Sequence, residues 1–324
     1  MNAPSQPTMP IPMTFGQTLD RIYRLMRAQL KLFLAVASVP AVAMVAMMAI
    51  IFAVAFIPIL SQLPKQPDPA LMAGLMIPSM LLILPLSLAV FALYLAAAIH
   101  AAMQANLGLT VTFREAYAVA SKRIGRYLWL TILIYIIAFL PILLLELLIF
   151  GATGLLSTNN AEPNPALFLL IPLIALLFIG AMVYGVIIAM RLSLAFPAAL
   201  TEDLPAVAAL RRSSQLTQGA KGRIFLILLV IYALGYAAEM VGFMALAAVI
   251  GIGALIMAAC GVQMPSAAGI TGLVLAGLLL CAFLFLLSAL LWSAFSTALA
   301  VLYHDQRLRK EGILSTPIQP GEPA

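Results

Sequence analysis

Six apolar runs, each long enough to cross a bilayer and nearly free of charge, constrain this chain more than any other feature. They lie at approximately 32–59, 71–103, 128–150, 167–190, 224–258 and 269–303. A helix needs about 20 apolar residues to cross a hydrocarbon core of about 30 Å, so each run predicts one transmembrane helix. The runs at 224–258 and 269–303 exceed that need, which predicts tilt, an interfacial extension or a break. Gly242, Gly251 and Gly253 mark the expected loosening of the fifth. The chain is 65% apolar and 9% charged, against about 45–50% and 25% for a soluble domain. That balance leaves no room for a separate soluble domain.

Charge sets the expected direction. Lys and Arg are retained on the cytoplasmic side of short loops, and sixteen of the seventeen fall in four segments: the N-terminal stretch, residues 104–127, residues 191–223 and the C-terminus. Only Lys65 lies on the other side, whose short loops around 64–69, 157–165 and 261–266 are rich in turn residues. Both termini are therefore expected to face the cytoplasm. Net charge is +6, but the basic residues flank membrane runs instead of forming one patch, which argues against nucleic acid as a partner. Residues 1–13 hold four prolines and no charged side chain, and read as a disordered tail. The run after Lys31 is nearly twice the length of a signal-peptide core, so it is expected to remain as the first span. Cys260 and Cys281 lack the spacing of a zinc site or disulfide framework, and read as small apolar residues.

Each basic segment precedes a hydrophobic hairpin. The chain thus parses into a single six-helix membrane domain, 14–303, with approximate repeats 14–111, 112–204 and 205–303, followed by a cytoplasmic tail at 304–324. Thr14-Phe15-Gly16-Gln17 and Thr112-Phe113-Arg114-Glu115 both fit a capping box. In the first, Phe15, Leu19, Ile22, Met26 and Leu30 form an apolar stripe opposite Arg21, Arg24, Arg27 and Lys31, the pattern of an interfacial amphipathic helix whose stripe enters the headgroup region. Arg114, Lys122, Arg123 and Arg126 supply the basic side in the second unit. Arg211 and Arg212, with Lys221 and Arg223, do so in the third, where Pro205 is expected to start the helix. An even number of crossings per unit keeps the three in one orientation, compatible with a pseudo-threefold axis along the membrane normal. The expected architecture is an all-α polytopic membrane protein of three hairpins, each introduced by a cytoplasmic interfacial helix.

Residues Arg191-Leu192-Ser193-Leu194-Ala195-Phe196-Pro197, then Glu202, then Ala209 through Gly219 including Arg212 and Ser213, form a recognisable stretch. It resembles the membrane domain of glycerophosphoryl diester phosphodiesterase, as does the opening Phe15-Gly16-Gln17-Thr18-Leu19-Asp20-Arg21. The resemblance covers nearly the whole chain and implies a bacterial inner-membrane protein. In the enzymes of that family, phosphodiesterase activity belongs to a separate soluble barrel, and this chain contains no such barrel. Its two histidines, His100 and His304, are too few for the barrel's metal ligands.

Glu146 and Glu239 are the acids placed within apolar runs, where an ionisable group is a functional candidate by default. As a pair they could carry protons or bind a cation in a central cavity. The plainer reading puts Glu146 at the outer surface near Gly151 and hydrogen-bonds Glu239 to a tyrosine such as Tyr232 or Tyr236. Pro40, Pro78, Pro85, Pro141 and Pro172 lie inside the spans, where neighbouring helices compensate the lost bond. His100, beside Gln104 and Asn106, reads as interfacial. Clustered Arg and Lys attract anionic headgroups by about 1 kcal/mol each near the surface, although retention of topology alone accounts for most such residues.

Three function classes remain. The first is a nonenzymatic membrane protein that binds or organises lipid, or docks a protein partner at its cytoplasmic face. The second is a transporter or channel for a small solute or ion, using Glu146 and Glu239. The third, an accessory membrane subunit of a separately encoded phosphodiesterase, rests on the resemblance. No cofactor site, metal-ligand set, phosphate loop or activated nucleophile is apparent, so no enzymatic role is expected.

Overall fold

The computed structural model describes residues 12–51, 53–54, 69–156, 165–259 and 267–312. These residues fold as an all-α polytopic membrane protein. In chain order the helices are α1 (Phe15–Ala28), α2 (Leu30–Ile51), α3 (Pro69–Asn106), α4 (Phe113–Lys122), α5 (Ile124–Leu156), α6 (Pro165–Leu192), α7 (Ala195–Thr201), α8 (Ala206–Thr217), α9 (Lys221–Ala259) and α10 (Ala267–Glu311). Six of them, α2, α3, α5, α6, α9 and α10, are long and apolar enough to cross a membrane.

Local chemistry starts the short helices where expected. Thr14 and Thr112 each close a complete capping box, with Gln17 and Glu115 bonding back to the cap amide. Pro205 caps α8 with no side-chain hydrogen bond. A single residue, Gln29, separates α1 from α2, and Arg123 alone separates α4 from α5. Between α8 and α9 the chain turns through Gly219, whose φ of 82° is open to glycine at no steric cost. The order of short helix, break and two long helices occurs three times, but α7 is an additional element inserted before α8.

The six spans form a ring in chain order, closed by α10 against α2, and α10 also packs on α3. This ring is unequal. The α10–α2 contact is extensive, whereas α6 and α9 meet sparsely. The tightest packing lies at the basic end, where alanines 96–98, 101 and 102 of α3 are fully buried. Small residues let helices approach closely in a membrane, where lipid offers no hydrophobic penalty to separation. Away from that end the surface is apolar and open, with Leu81 at 72% and Phe150 at 78% exposure, as lipid-facing side chains require.

Several details depart from the sequence reading. The stripe on α1 does not lie wholly among headgroups: Ile22 is buried, and Leu19 and Met26 pack against the core, because α1 lies across α10 and also touches α9 and α3. Gly242 does not loosen α9, which runs unbroken from Lys221 to Ala259. A Cβ at Gly242 would sit 2.8 Å from Leu287 Cδ2, and one at Gly235, seven residues earlier, 3.2 Å from Leu291 Cδ2. The two glycines are close-packing points between α9 and α10. Gly251 and Gly253 face open space. All five prolines sit inside continuous helices. The sixth span continues past 303 to Glu311, so residues 304–311, read as part of a tail, are helical. Cys281 is a free thiol; Cys260, residues 1–11, the loop containing Lys65 and residues 313–324 lie outside the described residues.

Candidate functional site

The basic end gathers most of the charge into ion-pair networks. At its centre is Asp305 of α10, whose side chain is wholly buried. Its carboxylate accepts from Arg223 at 2.6 Å and Arg309 at 2.8 Å, and from the backbone N–H of Met13 at 2.9 Å. Arg223 and Arg309 also donate to the Met13 carbonyl, and Arg223 reaches the buried Thr18 hydroxyl. One carboxylate therefore ties together the entry to α1, the start of α9 and the end of α10.

A second network joins α8 to the end of α10. Arg212 Nε donates to both oxygens of Glu202 at 2.9 Å, and its NH2 pairs with Glu311. Tyr303 donates to Glu202 at 2.7 Å, and Arg307 pairs with Glu311 at 3.2 Å. Burial disfavours the Arg212 charge, but its hydrogen bonds to Glu202 and Glu311 outweigh this and hold its pKa above the ordinary value. Beside this network Asp203, at a φ of 53°, takes Arg123 and Arg126; aspartate tolerates that left-handed conformation better than most residues.

Residues that carry the family resemblance meet in one structural joint. The Arg191 carbonyl accepts from Ser213 at 2.9 Å and Thr217 at 3.2 Å. Ser213 accepts from the Leu194 N–H, and Arg191 Nε donates to Ser214 at 2.6 Å. Pro197 is buried in α7, Glu202 and Arg212 pair, and Gly219 makes the turn into α9. These residues hold the corner between the second and third hairpins. Among the described residues no group of His, Cys, Asp and Glu could hold a metal ion.

The residues expected to contact anionic lipid divide into two sets. Arg21 is tied to the end of α3 through the side chain and carbonyl of Asn106; Arg24 pairs with Asp20 at 2.9 Å; Arg123, Arg126 and Arg212 belong to the networks above. In contrast, Arg27, Lys31, Lys122 and Arg211 are exposed and make no hydrogen bond or ion pair among the described residues.

Glu146 and Glu239 occupy different surroundings. Glu146 is exposed on α5. Glu239 is half-buried and accepts from Ser288 on α10, so its partner is a serine across the helix pair, not a tyrosine. It lines a cavity of about 70 Å³ with Tyr232, Gly235, Tyr236 and Trp292. A larger cavity of about 280 Å³ lies between α3, α5, α6 and α10. Glu146 lines neither, so among the described residues the two carboxyls share no cavity.

His100 is buried, at 4% exposure, and its Nδ1 has no hydrogen-bond partner among the described residues. His304 is also buried, next to Tyr303. Asp305, Met13 and Ser288 were not singled out from sequence. The available signal was Asp305 itself, an acid just past an apolar run and four residues before Arg309. Compared with known proteins, the chain matches no family model, no curated protein and no solved structure.

Proposed function

We propose that this chain is a nonenzymatic bacterial inner-membrane protein whose basic end faces the cytoplasm and binds anionic lipid headgroups. The observation that carries this reading is the division among the cations. Where the fold needs a positive charge, it supplies a carboxylate or carbonyl partner, as for Arg21, Arg123, Arg126, Arg212 and Arg223. Arg27, Lys31, Lys122 and Arg211 have none among the described residues, and they sit on or beside the short helices that precede the spans. Arg27 and Lys122, in the last turns of α1 and α4, also complement the negative helix ends, but that role accounts for neither Lys31 nor Arg211. Each is worth about 1 kcal/mol near an anionic surface, an attraction weakened by salt. The asymmetry of the loops supports the cytoplasmic orientation.

Mass spectrometry of lipids retained after gentle extraction tests the reading. Phosphatidylglycerol should be enriched over phosphatidylethanolamine on the wild-type protein at low salt. The enrichment should vanish when Arg27, Lys31, Lys122 and Arg211 are all changed to Gln, while the Arg24→Gln protein retains it. Equal enrichment in the fourfold variant, with thermal stability unchanged, would sink the proposal.

A further inference from the structure

Near the basic end α6 approaches α9, with Val186, Ile187 and Met190 facing Lys221, Gly222 and Phe225. Deeper in the membrane a cleft runs beside α10, made of one cavity against α9 and one against α3, α5 and α6. Its two cavities share walls: Trp292 and Phe295 of α10 line both the 280 Å³ space and the 70 Å³ space. The larger is apolar, walled by side chains such as Phe91, Ile134, Phe139 and Phe196. It extends toward the basic end as far as Thr131, Leu192 and Ser193. The smaller holds Glu239 beside two tyrosines, Tyr232 and Tyr236, whose rings stack at 6.3 Å.

We propose that this cleft binds one membrane lipid with an ammonium headgroup, its chain in the larger cavity and its ammonium at Glu239. Two features select the charge. Oε1 of Glu239 accepts from Ser288, while Oε2 has no hydrogen-bond partner among the described residues; a carboxylate at membrane depth is stabilised by a cation. Aromatic faces add their own attraction for ammonium groups, and Tyr232, Tyr236 and Trp292 all border the same small space. Depth selects the leaflet. Glu239 lies sixteen residues past Arg223, roughly 24 Å along the helix, in the half of a 30 Å core remote from the basic end. The apolar cavity runs from that level back toward the basic end. A lipid of the remote leaflet therefore has its headgroup and chain in the matching order. This site is independent of the headgroup binding proposed for the basic rim, and its charge preference is opposite.

The chain has two tryptophans, Trp129 and Trp292, so Trp129→Phe leaves Trp292 as a single reporter inside the cleft. The full-length Trp129→Phe protein is placed in phosphatidylglycerol vesicles, and chain-brominated phosphatidylethanolamine or chain-brominated phosphatidylglycerol is added in separate series. Quenching of Trp292 should saturate at an about fivefold lower mole fraction of the ethanolamine lipid, the scale expected for one desolvated ammonium contact. Glu239→Gln, which keeps the size and a bond to Ser288, should abolish that preference. Ala138→Phe, which fills the larger cavity at a buried position, should remove saturable quenching by either lipid. Changing Arg27, Lys31, Lys122 and Arg211 to Gln should leave the preference intact, which separates this site from the rim. Equal quenching by both lipids, or a preference surviving Glu239→Gln with thermal stability intact, overturns the proposal.

Discussion

The basic end of the molecule and its remote half use opposite means of holding helices together. At the basic end, side chains of α1, α8, α9 and α10 meet through charged hydrogen bonds, and Asp305 has a fully buried side chain with three donors. In the remote half the described residues are mostly exposed apolar side chains, and contact depends on shape, as where Gly235 and Gly242 admit Leu291 and Leu287. The contrast follows from the surroundings. Hydrocarbon competes weakly for polar groups but equally for apolar ones, so apolar contact between spans is weakly specified and gaps persist. Polar groups at the rim have water as a competitor, and they specify partners only where burial makes a missing partner costly.

The largest expected effect therefore lies at Asp305. Arg223→Leu would leave a buried carboxylate with Arg309 and one backbone amide. Breaking a buried pair from one side costs about 3–5 kcal/mol, and the loss should appear as a lower unfolding midpoint in mild detergent. Replacing both members, as Arg223→Leu with Asp305→Leu, should restore much of the loss, because no charge is then left buried. A double variant as unstable as the single one would show that Asp305 acts through Met13 and Arg309 instead, and would move the centre of the network to the chain entry.

At Gly242 the comparison can be sharpened from the other side. Gly242→Leu drives a branched side chain against Leu287 and Phe283, and overpacking of this kind costs typically 1–3 kcal/mol. Gly251→Leu, nine residues further along the same helix, faces open space and should leave the unfolding midpoint unchanged. If both variants behave alike, the α9–α10 contact in the remote half is not a specific one.

These two sites also show what the sequence could reveal. Span number, the hairpin order and the capping boxes were legible because each depends on residues near one another in sequence: a long apolar run, or Thr112 three positions from Glu115. Gly242 was visible but misread, since a glycine within a span weakens a helix or admits a neighbour, and only the position of Leu287 decides between them. Asp305 was missed because its partners, Met13 and Arg223, are distant in sequence and no local pattern joins them. The candidate lipid contacts were legible as a basic set. Sequence could not divide them, since Arg21 and Arg27 occupy adjacent turns of one helix and only Arg21 meets Asn106. Likewise the serine opposite Glu239 is one of several polar residues on α10, chosen by helix rotation.

The smallest effect is expected at the exposed caps, where the molecule contains its own control. Gln17 and Glu115 do the same work in α1 and α4, each bonding the N–H of its capping threonine at 2.8 Å. Only Glu115 titrates. The N–H and hydroxyl of Thr112 hold its carboxyl below the ordinary value of 4.5, because both interactions favour the ionised form. A carboxyl depressed in the folded state contributes stability that is present above its unfolded value and is lost as pH falls through the folded one. Glu115→Gln should therefore flatten a small part of the acid-side decline in the unfolding midpoint below about pH 4.5, while the helix start survives, as Gln17 already shows for α1. The two proteins should differ above that pH and converge below it. Parallel curves throughout would mean that solvent screens this charge completely and that the α4 cap is held by Thr112 alone.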